Sequence, residues 1–450
     1  MAVPAGYGLT VSGTPWAVRS PGSCTGASSP RSANDCHGIG RIDRCRVPFP
    51  QLVPAHAAVR AAFVAAIAYV DPGNFATNFS AGAQYGYLLL WVIVAANLLA
   101  MLIQMMSAKL GLATGRNLPE LCREHFPRAV SRGMWVQAEL VAIATNLAEV
   151  IGGAIALNLL FGVPLFTGGL ITGLVAFGLL AMQGKGYRPF ELAIAGLFAV
   201  ILLGFLVAAL RVDVAPAAFG AGLLPRFEGT DSLLLATGIL GATVMPHVIY
   251  LHSALTQRRI PAVTVADRRF LLRHQRVDVL VGMGLAGLVN AAMLVIAAAL
   301  FYGTDVPDTD TLQGVHAGLA RVLDQPAAFA FALALLASGF ASSGVGTYAG
   351  QVVMQGFIQR RIPLLVRRVF TLAPALVVLG VGTDPTRALV LSQVVLSFGI
   401  PFALVPLVML TRRRDVMAEL VNNRLTTVVG ALAAAVIITL NALLLWNTFV

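Results

Sequence analysis

A carboxylate and an amide lie within an otherwise apolar segment near the start of the chain. Residues 68–74 read AYVDPGN, in which Pro72 and Gly73 separate Asp71 from Asn74. A carboxylate combined with amide and carbonyl oxygens is a typical ligand set for a hard cation such as Na⁺, Mg²⁺, Ca²⁺ or Mn²⁺. A charged side chain at mid-membrane costs about 2.5–3.5 kcal/mol on insertion scales. We therefore expect Asp71 to have a function or a charged partner.

A second proline interrupts another apolar segment in a matching way. Residues 242–246 read ATVMP, so Met245 occupies the position that Asp71 holds in AYVDP. A thioether is a soft ligand, which contributes little to Mg²⁺ or Ca²⁺ binding and more to the binding of a transition metal. This pair of ligands favours Mn²⁺ and Fe²⁺, with Co²⁺, Ni²⁺, Zn²⁺ and Cd²⁺ as further candidates. Core packing is the alternative role for Met245 alone.

The two prolines also release backbone groups. A proline within a helix donates no hydrogen bond and clashes with the carbonyl four residues earlier. The carbonyls of Ala68 and Ala242, or of their neighbours, are therefore predicted to be released by Pro72 and Pro246. Such groups persist in lipid only where protein or a ligand satisfies them. One proline would more often make a simple kink, but two at equivalent positions beside potential ligands predict a cation site.

Titratable side chains recur near these motifs. His247 and His252 follow the second proline, and histidine changes charge near neutral pH, so either could carry a proton or bind a metal. A packing role is the alternative for His252. On another apolar segment, Glu139, Asn146 and Glu149 are seven and three residues apart and share one helix face. Buried acids on a single face predict a proton relay.

Other isolated polar residues in apolar segments more often form hydrogen bonds between helices than bind ligands. These residues are Asn97, Gln104, Asn290 and Gln393.

The composition indicates a membrane protein. Of the 450 residues, 58% are hydrophobic and 11% are charged, whereas a soluble domain carries about 25% charged residues. Runs of about 18–25 apolar residues can cross a hydrocarbon core about 30 Å thick. Because backbone groups must be paired in lipid, such runs predict helices and an all-α fold. Eleven spans are predicted, at 57–80, 86–108, 134–160, 166–183, 190–210, 233–256, 277–301, 326–352, 364–381, 386–410 and 425–446.

The proline motifs lie in the first and sixth spans, which predicts two repeats of five spans. The first repeat would cover 57–210 and the second 233–410, with an extra helix at 425–446. Because five is odd, the second repeat enters the membrane from the opposite side. Inverted repeats of this kind commonly place a substrate site where their broken helices meet at the membrane midplane.

The distribution of positive charge predicts the orientation. Of the 31 Lys and Arg residues, 27 lie in the amino-terminal tail and in alternate loops. Positively charged loops stay in the cytoplasm, so the amino terminus is predicted inside and the carboxyl terminus outside. The basic residues are divided among small loops, which does not suggest a nucleic-acid partner.

The first part of the chain differs from the rest. Residues 1–54 are rich in Ser, Gly and Pro and have no periodicity. They are predicted to form a disordered extension ahead of a transmembrane transporter domain at 55–450.

The motifs DPGN in the first span and MPH in the sixth, the latter within GATVMPHVIYLHSALTQ, resemble the Nramp (natural resistance-associated macrophage protein) family. Among its members, the chain most resembles bacterial proton-coupled manganese transporters, over residues 55–448. The resemblance implies the fold of the sodium-coupled leucine transporter, with an eleventh helix. It also implies metal ligation by Asp71, Asn74, Met245, the carbonyls of Ala68 and Ala242 and, in some conformations, Gln393.

The resemblance further implies a proton route. One position departs from the family pattern, because the usual A-T-D-L-A-E reads ATNLAE here, with Asn146 in place of the acid. An amide cannot take up and release a proton at ordinary pH, so the relay beyond the metal site loses one station. Proton movement is implied for Asp71, His247, Glu149, Arg367 and Arg368, and an accessory polar role for Glu139 and His252.

These features predict a secondary transporter that imports Mn²⁺ and Fe²⁺ together with protons across a bacterial plasma membrane, by alternating access. The metal and the protons are transported substrates, the lipid bilayer is the surrounding partner, and neither a cofactor nor an obligatory oligomer is expected. One alternative is a Mg²⁺ transporter of a related branch, which Met245 disfavours. Another is a non-transporting metal sensor, which would need an output domain, whereas only a few residues of this sequence follow the last predicted span. No enzymatic activity is expected, since no HExxH motif is present.

Overall fold

The computed structural model describes residues 61–183, 187–257, 265–359 and 364–449, and all regular structure within these ranges is helical. This confirms the predicted all-α class. The extension predicted at 1–54 lies outside the described residues. In chain order the helices are α1 Ala61–Ala68, α2 Pro72–Tyr85, α3 Leu90–Thr114, α4 Leu118–His125, α5 Arg128–Phe161, α6 Leu165–Gln183, α7 Tyr187–Ala209, α8 Pro216–Ala221, α9 Gly229–Thr243, α10 Pro246–Thr256, α11 Val265–Phe301, α12 Leu312–Val322, α13 Gln325–Ile358, α14 Leu364–Val381, α15 Pro385–Thr411, α16 Arg414–Met417 and α17 Arg424–Phe449.

The long helices coincide with the predicted membrane spans. In the described part of the chain, eight helical segments are long and apolar enough to cross a membrane, with α9 and α10 counted as one segment. Two shorter apolar stretches, Leu165–Leu179 and Val369–Val381, lie in α6 and α14. The first predicted span is divided between α1 and α2. The number of eleven crossings and the boundaries of the two repeats stay predictions.

The first span is broken at the proline. The last turn of α1 tightens, because the N–H groups of Tyr69 and Val70 bond to carbonyls three residues earlier, at 3.0 and 3.1 Å. Asp71 then has an extended backbone and caps α2, and its carboxylate accepts the N–H of Asn74 at 2.8 Å. Pro72 occupies the first helical position, where no donor is needed. The sequence DPGN is thus a helix start inside an apolar segment.

The second break is constructed differently. Helix α9 ends at Thr243 and α10 begins at Pro246. Met245 is the residue that precedes α10, with an extended backbone (φ −70°, ψ 117°) and no side-chain capping bond. A thioether is only a weak acceptor, so it does not compete for the helix start. The side chain of the buried Met245 is therefore available for another contact.

Close packing of helix backbones surrounds both breaks. Helix α2 packs along α11, α5 along α13, and α9 along α15. A Cβ atom added at Gly82 of α2 would lie 2.4 Å from the carbonyl oxygen of Leu294 in α11. Similarly, a Cβ atom at Gly339 of α13 would lie 3.0 Å from the backbone nitrogen of Gly153 in α5. Small residues permit this approach, as is common between membrane helices.

Substitution of Gly82 tests the packing of α2 on α11. We expect Gly82→Ala to lower the midpoint of thermal unfolding in detergent, because the added methyl group meets a backbone atom, and overpacking costs about 1–3 kcal/mol. Gly196→Ala in α7 is the matched control, since no atom lies within 4 Å of its added Cβ atom. The control should leave the midpoint unchanged or raise it slightly. Equal midpoints for the two variants would contradict the close packing.

Candidate metal site at the two broken helices

Asp71 and Asn74 form a reciprocal pair at the start of α2. One carboxylate oxygen of Asp71 accepts the backbone N–H of Asn74, and the backbone N–H of Asp71 donates to the amide oxygen of Asn74 at 3.3 Å. Both side chains are fully buried. The second carboxylate oxygen of Asp71 and the amide nitrogen of Asn74 have no hydrogen-bond partner in the described part of the chain. One oxygen of Asp71 is thus oriented by the helix start while the other remains available to a cation.

Gln393 of α15 lies beside both breaks. A Cβ atom at Gly73 would be 2.0 Å from the amide nitrogen of Gln393, and one at Gly241 would be 1.8 Å from its backbone oxygen. Its amide nitrogen donates to the hydroxyl of Ser392 at 3.1 Å. Its amide oxygen is buried, with no hydrogen-bond partner among the described residues. Gly73 therefore makes room for this side chain at the first break, and Gly241 allows the backbone of α15 to approach the second break.

The released carbonyls divide into satisfied and available groups. The carbonyl of Tyr69 accepts the amide of Asn290 in α11 at 2.8 Å, and that of Val70 accepts the hydroxyl of Ser338 in α13 at 2.6 Å. The carbonyl of Ala68 loses its helical donor, because the residue four positions later is Pro72.

The same spacing removes the helical donor of Ala242, since Pro246 follows four positions later. The two alanines identified in the sequence are thus the residues whose carbonyls the prolines release, while neighbouring helices satisfy the carbonyls of Tyr69 and Val70.

Two of the three polar residues predicted on one face of α5 are buried. Asn146 donates to the carbonyl of Ala142 at 2.9 Å. Glu149 is fully buried, and a Cβ atom at Gly346 of α13 would lie 2.6 Å from its carboxylate. The prediction that Glu139 is buried is wrong: it is half-buried and accepts the indole N–H of Trp135 at 3.2 Å, because it lies at the edge of the buried face of α5, between the buried Ala138 and the exposed Leu140.

The two histidines of α10 have different surroundings. His247 is buried directly after Pro246, and its Nδ1 lies 3.3 Å from the hydroxyl of Thr145 in α5. It therefore contacts the helix that carries the predicted relay.

His252 instead joins a buried hydrogen-bonded chain. Its Nδ1 lies 2.8 Å from the amide oxygen of Gln104, whose nitrogen donates to the hydroxyl of Tyr69. Its Nε2 lies 3.3 Å from the amide nitrogen of Gln275, which in turn donates to Asp278 at 3.4 Å. These contacts match the packing alternative considered for His252.

Several polar residues near the site were not identified from the sequence. Tyr69, Thr145 and Ser338 carry common hydroxyl groups, and only their contacts distinguish them. Asp278 had a usable signal, since it is an acid within the predicted span 277–301 and is fully buried. Arg367 and Arg368 belong to α14, but their side chains lie outside the described residues, so their role stays a prediction.

The atoms available as metal ligands define what the site could bind. They are the second oxygen of Asp71, the amide oxygen of Gln393, the thioether of Met245 and the carbonyls of Ala68 and Ala242. Among the described residues, no group of three or more His, Cys, Asp or Glu side chains could hold a metal ion. A single carboxylate with neutral donors suits a cation that must leave again, because permeation sites bind weakly enough to release their ion.

The fold defines a class of protein. A helical bundle with two interrupted helices that expose backbone and polar side chains in its interior is the architecture of secondary transporters. The structure of Mhp1, a nucleobase-cation-symport-1 family transporter, superposes on this one with a TM-score of 0.58 at 15% identity. The superposed region is 87% of this chain and 91% of the Mhp1 chain, and this likeness supports the fold alone. Together with the eight apolar segments long enough to cross a membrane in the described part of the chain, this likeness defines a multi-pass membrane protein with the same fold class.

Sequence comparison identifies the family. The Nramp model, described as natural resistance-associated macrophage protein-like, matches residues 62–447, and the chain belongs to this family. The divalent metal cation transporter MntH of Deinococcus radiodurans is 54% identical over 386 residues, which are 86% of this chain and 88% of that protein. A mutant of the manganese transporter of Eremococcus coleocola has a TM-score of 0.77 at 35% identity, over 86% of this chain and 85% of that structure. These relatives are named as transporters and not as enzymes, in agreement with the prediction from the sequence.

A double-substitution experiment tests the position of Gln393 over the first break. We expect Gly73→Ala to lower the thermal unfolding midpoint, because its methyl group collides with the Gln393 amide. Gln393→Ala removes that amide, so the double variant should be more stable than the sum of the single effects predicts. A non-additivity of about 0.5–3 kcal/mol is typical of residues in contact. Additive effects would show that the two residues do not meet.

Proposed function

We propose that this chain imports divalent transition-metal ions, Mn²⁺ and Fe²⁺ foremost, together with protons. The observation that carries the proposal is the buried carboxylate oxygen of Asp71, which has no hydrogen-bond partner among the described residues. A buried carboxylate without a donor is unfavourable in a membrane, and either a cation or a proton relieves that cost. A metal ion that binds this oxygen displaces its proton, so transport of both in one direction requires a second proton acceptor, for which the fully buried Glu149 of α5 is the candidate.

The donor chemistry supports a transition metal as the cargo. Asp71 and Gln393 offer hard oxygen atoms, and Met245 adds a soft thioether. Mn²⁺ and Fe²⁺ accept both kinds of ligand, whereas Mg²⁺ gains little from sulfur. The names of the relatives, a divalent metal cation transporter and a manganese transporter, point the same way.

The proton route is proposed to start at Asp71 and to continue through α5. Glu149 is a fully buried carboxylate on α5, and His247 contacts the same helix at the hydroxyl of Thr145. Asn146 occupies the position of the missing acid and donates to a backbone carbonyl, so it acts in packing instead of proton transfer. Arg367 and Arg368 are proposed to lie further along the route toward the cytoplasm.

The direction of transport follows from the membrane potential. With the inside negative, each positive charge gains about 2.3 kcal/mol per 100 mV on entry, so import of a divalent cation is favoured. The charged loops predict a cytoplasmic amino terminus in a bacterial plasma membrane. Rocking of one group of helices against the other would expose the site to each side in turn, without a cofactor or an obligatory oligomer.

Two alternatives remain distinguishable. A Mg²⁺ transporter would use the same carboxylate but would gain little from Met245. A metal sensor would bind the ion without moving it, and only a transport assay separates that case.

Uptake by reconstituted protein tests the main proposal. In proteoliposomes with an acidic exterior, we expect Mn²⁺ to enter together with a fall in interior pH, recorded in the same vesicles. Asp71→Asn retains the helix cap, since asparagine also caps helices, but removes the charge. It should abolish Mn²⁺ uptake, because a neutral amide cannot compensate a divalent cation.

Asp324→Asn is the matched control. Asp324 also caps a helix, α13, by accepting the N–H of Ala327 at 2.8 Å, but it is not at either break. This variant should transport Mn²⁺ as the unmodified protein does. Undiminished Mn²⁺ uptake by Asp71→Asn would overturn the assignment of the metal site. Mn²⁺ uptake by the unmodified protein without a change in interior pH would overturn proton coupling alone. Mn²⁺ binding by the unmodified protein without uptake would favour the sensor.

Metal competition tests the role of the thioether. In the unmodified protein, excess Mg²⁺ should compete poorly with Mn²⁺, because sulfur contributes mainly to the binding of the softer ion. Met245→Ala should weaken Mn²⁺ uptake and make Mg²⁺ a relatively better competitor. Competition by Mg²⁺ that equals that of unlabelled Mn²⁺ before the substitution would show that the thioether does not select the metal.

A further inference from the structure

A second cavity lies away from the broken helices, where α3 approaches its end and α11 begins. It has a volume of about 290 Å³. Four cationic side chains and one carboxylate, Glu419, contribute to its lining. The cations are Lys109 of α3 and Arg269, Arg273 and Arg276 of α11. We name this cavity the basic pocket.

The arginines form one row on α11. Arg269, Arg273 and Arg276 are separated by four and three residues, the spacing that places side chains on one helix face. All three are exposed. None of them forms a hydrogen bond or ion pair with a described residue. Three neighbouring guanidinium groups repel one another unless an anion lies between them, and their planar donors fit the oxygens of a phosphate group.

Lys109 forms the opposite wall of the basic pocket and is fixed in place. Its ammonium group donates to the side-chain oxygen of Asn422. Asn422 is itself held by Thr411, through a backbone bond of 2.9 Å and a side-chain bond of 2.8 Å. A half-buried cation held by a second layer of hydrogen bonds is a preorganised feature of this pocket, in contrast to an unconstrained surface lysine.

The pocket lies next to lipid-facing surface. Directly after Arg276 on α11, the side chains of Val277, Leu280 and Val281 are 58%, 50% and 46% exposed. In a membrane protein, such apolar side chains on a spanning helix face acyl chains. The basic pocket therefore lies where this helix passes from the lipid chains to the charged boundary of the bilayer. Basic pockets between membrane helices at this level recognise anionic headgroups.

We propose that the basic pocket binds the phosphate group of an anionic phospholipid, whose acyl chains lie along Val277 and Val281. A soluble phosphate compound shares the headgroup chemistry. The adjoining exposed apolar surface favours the lipid, because a soluble anion would leave that surface without a function. The proposal is independent of metal transport, since no residue of the pocket belongs to the broken helices.

Lipid titration of the purified full chain tests this site. Binding of phosphatidylglycerol and of phosphatidylcholine would be measured by native mass spectrometry in detergent. We expect the unmodified protein to retain phosphatidylglycerol in preference to phosphatidylcholine. The variant Arg273→Gln/Arg276→Gln should bind phosphatidylglycerol about tenfold to thirtyfold more weakly, given the contribution of each basic residue to binding of an anionic lipid surface.

Two further variants separate a site from a general charge effect. Arg128→Gln/Arg132→Gln removes the same charge from exposed positions four residues apart at the start of α5, outside the pocket. It should keep phosphatidylglycerol affinity close to that of the unmodified protein. Arg273→Lys/Arg276→Lys retains the charge and should recover most of the affinity. Equal losses in the two glutamine variants, or no loss in either, would overturn the proposal.

Inorganic phosphate distinguishes the source of the anion. At millimolar concentration it should displace little bound phosphatidylglycerol, because it cannot occupy the apolar surface. Complete displacement by phosphate would overturn the lipid assignment and indicate a soluble ligand. The thermal unfolding midpoint of each variant without lipid provides the folding control, and it should match that of the unmodified protein because the substituted side chains are exposed.

Discussion

Two prolines lie inside segments that cross lipid, and proline has no backbone N–H group. The rest of this structure depends on that constraint. Each proline removes a helical hydrogen bond where water cannot replace it, so the surrounding helices must supply donors or leave an acceptor for a ligand. At the first break, Asn290 and Ser338 satisfy the carbonyls of Tyr69 and Val70. These bonds hold α11 and α13 against the junction between α1 and α2. The carbonyl of Ala68 lies one residue before this satisfied pair, which confines the available acceptors to a small region.

Glycine determines how closely other helices can approach that region. Gly73 and Gly241 accommodate Gln393 at the two breaks, and Gly346 of α13 accommodates Glu149 of α5. A methyl group would occupy the space of the polar side chain at Gly73 and at Gly346, and the space of a backbone oxygen at Gly241. The small residues therefore act on function as well as on packing, because they allow polar groups from three helices to reach the interior. The bonds from α11 and α13 must be exchanged if the first helix moves during alternating access.

The proposed metal site and the proposed proton route share Asp71 and otherwise use different parts of this interior. The candidate metal ligands belong to the breaks and to α15, whereas the proposed proton route depends on α5, where Glu149 is buried and Asn146 replaces an acid. The amide of Asn146 donates to a carbonyl of its own helix. The substitution is therefore structurally mild, since it keeps a polar group at that position without a titratable proton.

The local sequence determined the positions of the breaks and the all-α class, because proline, helix caps and apolar length act through neighbouring residues. It also predicted Asp71, Asn74 and Met245 as metal ligands, and these assignments stay predictions. It did not determine which released carbonyls stay available, since Asn290 and Ser338 come from helices more than 200 residues away. It also predicted burial for Glu139, which is half-buried because it lies at the edge of the buried face of α5. Contacts over such distances depend on how close two backbones can come. The packing of complete helices decides how close two backbones come. For this reason, only the tertiary structure placed Gln393 beside both breaks, His252 in a buried hydrogen-bonded network and the arginines of α11 in one pocket.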